Sequence, residues 1–108
     1  QEDPSIEAEV NLYMDDPAAE LSKDEEIVKV LTKSVAHVLG REPKIMGNVY
    51  WTEASLYQRA GIPTAWCGPP LFRFGAKDEC ITINELMNIT KIYTASILNF
   101  SGGNEYRL

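Results

Sequence analysis

Few positions in this 108-residue chain combine reactive side chains with a setting in which a reaction could occur. Thr52 and Glu53 offer a hydroxyl and a carboxylate just after one apolar segment, and Asp78 and Glu79 offer two carboxylates after another. Gly68 lets a ligand approach the backbone closely. In an open sheet of parallel strands, ligands lie beyond the carboxyl ends of the strands, which draws residues 47–53 and 68–79 towards one mouth. A carboxylate there could orient a reacting group or hold a cation. Asp78 and Glu79 are adjacent, however, so extended backbone sends them to opposite sides and they do not make a paired acid and base. Glu53 also has the ordinary role of a negative charge at a helix start. Pro69 and Pro70 donate no N–H, which argues against an anion cradle after Gly68.

The remaining reactive residues are isolated. His37, the single histidine, stands on a helix with Lys33 and Arg41 four residues to either side, which is no ligand set. Cys67 lies in an apolar run and Cys80 follows two acids, so neither a disulfide framework nor a four-ligand zinc site is encoded. Phosphate loops, dinucleotide fingerprints, serine elbows and His-Glu-x-x-His motifs are absent from the sequence. A net charge of -6 gives nucleic acid no basic face to bind. No run of apolar residues is long enough for a membrane span. With nothing that demands oxidation, a cytoplasmic setting is expected.

The positioning elements follow from periodicity. Ala8, Val10, Leu12 and Met14 alternate with polar residues, the pattern of a half-buried strand that ends at Asp15-Asp16-Pro17. Ser22 and Glu25 make a capping box for a helix carrying Ile27, Val28, Leu31, Val35, Val38 and Leu39, stopped by Gly40. Residues 44–47 read as a short strand, 53–60 as a helix capped by Thr52, and 62–67 as a second buried strand. A loop over 71–77 leads to a last helix with a Thr82–Glu85 box and the stripe Ile83, Leu86, Met87, Ile89, Tyr93, Ile97, Leu98. This order predicts an incomplete three-layer α/β unit with short parallel strands. So small a sheet leaves surface uncovered, and a missing N-terminal segment is expected to complete it. The start at Gln1 instead of Met agrees with that expectation.

The same residues carry a family resemblance. Gly40-Arg41-Glu42-Pro43, Tyr50-Trp51-Thr52-Glu53-Ala54, Ala60-Gly61-Ile62-Pro63-Thr64, Gly68-Pro69, Asp78-Glu79 and Lys91-Ile92-Tyr93 resemble, in order, the C-terminal stretch of the M20 metallopeptidase family. That family includes acetylornithine deacetylase, succinyl-diaminopimelate desuccinylase and aminoacylases. The resemblance implies a catalytic domain split by an inserted lid or dimerisation domain. Residues 1–16 would end the inserted domain, and 17–108 would be the C-terminal portion of the catalytic α/β domain.

It also implies two divalent ions, zinc first and cobalt or manganese as alternatives, that activate water against an amide bond. Most of their ligands lie in an N-terminal half, so the implied partners are that missing segment or a companion chain, a second copy through the lid, and a small N-acyl amino acid or peptide. By resemblance Thr52, Glu53 and Gly68 line the substrate pocket, while Gly75, Lys77, Asp78 and Glu79 form a supporting loop. The family's histidine ligand falls at Gly75 or Lys77 here; glycine has no donor and an ammonium repels a cation. No catalytic residue and no metal ligand is therefore assigned to this chain. Two functions follow: a segment of a metal-dependent amide hydrolase, inactive alone, or a non-catalytic relative that binds a metabolite or a protein.

Overall fold

The computed structural model describes residues 5, 7–69 and 75–102. Among these residues there are three helices, α1 (Glu26–Leu39), α2 (Ala54–Arg59) and α3 (Ile83–Phe100), and no strand. The expected α/β unit with parallel strands is thus not formed. Residues 8–14, 44–47 and 62–67 take no regular secondary structure and enter no ladder, and a strand exists only through such pairing. The alternating face expected to be buried over 8–14 is open: Val10 is 90% and Leu12 82% exposed. The loop expected over 71–77 lies partly outside the described residues.

The helices start and stop for local reasons. Thr82 caps α3 as expected: its hydroxyl accepts from the Glu85 amide at 3.1 Å, and the Glu85 carboxylate accepts from the Thr82 amide at 2.7 Å. The Ser22–Glu25 box does not form. Ser22 Oγ instead accepts from the Asp24 amide at 3.1 Å, one residue too early, and Glu25 becomes the N-cap of α1. At the other end Gly40 takes φ 67°, and its amide reaches back to the Ala36 carbonyl. That left-handed geometry suits glycine because a Cβ would crowd the next carbonyl.

The core lies between α1 and α3. Val28 of α1 and Ile92 and Ala95 of α3 are its buried apolar residues, joined by Ser34 and Ser96. Small side chains at this crossing let the helix backbones approach. Ser96 satisfies its hydroxyl on the Ile92 carbonyl at 2.8 Å, and Asn99 Nδ2 donates across to Ser34 Oγ at 3.5 Å. The apolar stripe expected on α1 is half-buried or buried throughout. On α3 the expected stripe mostly faces out, with Ile83, Leu86, Met87, Tyr93 and Ile97 exposed. The face around Ile92 meets α1 instead. α3 has two apolar faces, and periodicity cannot say which one finds a partner.

Candidate functional site

Each residue predicted to surround a pocket has its own local setting. Thr52 is half-buried at the start of α2, where its hydroxyl accepts from the Ala54 amide at 3.3 Å. Glu53 is exposed, and its carbonyl receives the Leu56 and Tyr57 amides at 3.0 and 3.2 Å. Gly68 is exposed, and nothing lies within 4 Å of where a Cβ would stand. Lys77, Asp78 and Glu79 are exposed as well. Glu79 bends back on its own loop: its carboxylate accepts from the Gly75 amide at 3.3 Å while its amide donates to the Ala76 carbonyl at 3.2 Å. Among the described residues no hydrogen bond or ion pair joins Thr52 or Glu53 to Gly68, Asp78 or Glu79.

This donor set does not fit a metal pair. Among the described residues no three His, Cys, Asp or Glu side chains come together as a cluster that could hold an ion. His37 is exposed on α1. Of Gly75 and Lys77, where the resemblance calls for a histidine, glycine has no donor and lysine offers an ammonium that a cation would repel.

The structure does build two polar links that the sequence reading missed. The first centres on Asp16. One carboxylate oxygen accepts the Trp51 indole N–H, the other accepts from Ser55 Oγ at 2.6 Å, and Arg59 Nη2 lies 3.7 Å from that second oxygen. The Ser55 hydrogen bond, then that from Trp51, hold the Asp16 carboxyl below its ordinary value; partial burial opposes them and Arg59 adds to them. The available signal was the four-residue spacing of Trp51, Ser55 and Arg59, which places Ser55 and Arg59 on one face of a helix. The second link is Tyr93 Oη, which donates to the Cys67 carbonyl at 2.5 Å and ties the 62–67 segment to α3. Burial pushes the Cys67 thiol up, and it raises Tyr93 too, with Cys67 adding to the effect. Both cysteines are free.

A groove of about 290 Å³ lies elsewhere, between the connection at Glu20 and Leu21 and the far end of α2 at Gln58 and Gly61–Pro63. Gln58 Nε2 donates to the Thr64 carbonyl at 3.2 Å, so this polar group already has a partner. No helix of the described residues is long and apolar enough to cross a membrane.

Comparison with known families gives one result of broad coverage. The model of peptidase family M20/M25/M40 matches residues 5–99. The chain belongs to that family, and so is a relative of metallopeptidases and allied hydrolases. No curated protein and no solved structure matches it.

Proposed function

We propose that this chain is the C-terminal segment of a divalent-metal-dependent amide-bond hydrolase of N-acyl amino acids or small peptides, inactive until a companion segment or chain supplies the metal site. The observation that carries this reading is the family match over residues 5–99 in a chain whose described side chains form no ion-binding cluster. Residues 1–16 then end an inserted lid or dimerisation domain, and 17–108 belong to the catalytic unit. Thr52, Glu53 and Gly68 contribute pocket wall, and the turn from Gly75 to Glu79 supports it. Two free cysteines suit a reducing, cytoplasmic setting.

The surface supports a companion. The chain exposes 9563 Å², against about 6,000 Å² for a compact monomer of its mass. Its radius of gyration is 19.1 Å, where about 13 Å is typical of a compact domain of this length. So much open surface is what a chain that packs against a companion would present. Along α3 the outward residues Ile83, Leu86, Thr90, Tyr93, Ile97 and Phe100 follow a three-four spacing, the seam that a neighbouring element packs against.

Calorimetric titration with zinc, cobalt and manganese tests the proposal. The chain alone should bind no ion tightly and cleave no N-acyl amino acid or dipeptide. Joined to its companion, it should bind two ions and hydrolyse such a substrate. A joined protein that binds none would establish the second reading, a non-catalytic relative that takes up a small metabolite or a protein. Gly75 or Lys77 at the place of a histidine ligand favours that alternative.

A further inference from the structure

We infer that Asp16 is a latch: its carboxylate, gripped by Trp51, Ser55 and Arg59, holds the irregular 7–17 arm on α2 and can release it without unfolding the helices. The arm has little else to hold it. Val10, Leu12, Tyr13 and Met14 are all exposed, Tyr13 by 95%, so hydrophobic burial at these positions does not attach it. The side chain of Asp16, by contrast, is only 10% exposed. Its partners lie 35 to 43 residues further along the chain, so the contact is tertiary and not a local turn.

The geometry suits a carboxylate. Each oxygen has its own donor, the Trp51 indole on one and Ser55 Oγ on the other, and Arg59 adds positive charge beside the second. Hydrogen bonds to an ionised group are shorter and stronger than neutral ones. Ser55 is itself buried at 6% exposure, so leaving its hydroxyl without an acceptor carries a cost. Pro17 follows directly and restricts Asp16 to extended backbone, which limits how the arm can leave α2. The core between α1 and α3 includes none of these groups, so the arm can detach while the helix pair persists.

The whole 108-residue chain serves for the test. With Cys67→Ser and Cys80→Ser as background, spin labels on Leu12→Cys and Tyr57→Cys report the distance from the arm to α2. A latched arm gives one narrow distance distribution. Asp16→Ala should broaden it and shift it to longer separations, with helical circular dichroism unchanged. Tyr13→Ser should leave it narrow. An Asp16→Ala chain that keeps its helicity and the narrow distribution would overturn the latch. Should Asp16→Ala fail to fold, Trp51→Phe with Ser55→Ala removes both neutral donors and decides: a broadened distribution supports the latch, and an unchanged one refutes it. The inference stands on the arm and α2 alone, so it holds whether or not the chain serves a working hydrolase.

Discussion

Asp16 shows how a single carboxylate becomes a structural decision. Ionised, it accepts two hydrogen bonds; protonated, it loses the charge that makes them strong and becomes a donor facing donors. Because its folded pKa lies below the ordinary 3.8, its contribution is fully present above that value and is lost as pH falls through the lowered folded value. The arm-to-α2 distance should therefore stay constant from neutrality down to about pH 5 and lengthen only in more acidic solution. The other charged groups on these two elements are Glu7, Glu9 and Asp15 on the arm and Glu53 and Arg59 on α2. Asp16→Asn leaves them all in place and should abolish the acid step. A step of the same size in Asp16→Asn would assign it to those neighbours instead.

Helix ends are where local sequence has the most authority, and both caps of known geometry can be weighed. Thr82→Ala removes the hydroxyl that satisfies the Glu85 amide and should cost about 1 kcal/mol of helix stability. Gly40→Ala meets open space but must hold φ 67°, at a cost of roughly 1–2 kcal/mol. Thermal melts followed at the helix band measure both, and a Gly40→Ala chain as stable as the original would remove the left-handed cap from the account. The same elements show what could be read in advance. The α3 cap, the Gly40 stop and the apolar stripe of α1 depend on residues within a turn or two of each other, and all were legible. The Ser22–Glu25 box was not, because Ser22 closes on Asp24 first. Strands over 8–14, 44–47 and 62–67 could be read only as extended segments: the alternation is in the sequence, but the ladder partner is not. Convergence of Thr52, Glu53, Gly68, Asp78 and Glu79 was an expectation that rested on that sheet. Asp16 went unread because its partners are more than thirty residues away.

At the scale of the molecule the two faces of α3 separate what this chain buries from what it leaves open. Ile92 is 4% exposed against α1, whereas Ile97, five residues on, is 65% exposed on the outer seam. Truncating a packed isoleucine costs about 2–5 kcal/mol, a large share of the marginal stability of any small domain. Ile92→Ala should therefore abolish most helical signal from the isolated chain. Ile97→Ser removes almost nothing that the chain buries and should change its stability by less than about 0.5 kcal/mol. If the proposed companion covers the seam, the order should reverse, because losing Ile97 from a packed interface would weaken association. Paired melts of the isolated variants, followed by binding measurements with the companion, read both halves of this expectation. Equal loss of isolated-chain stability from the two substitutions would mean that the outer face of α3 is already packed within this chain, and the surplus of exposed apolar surface would then need no partner.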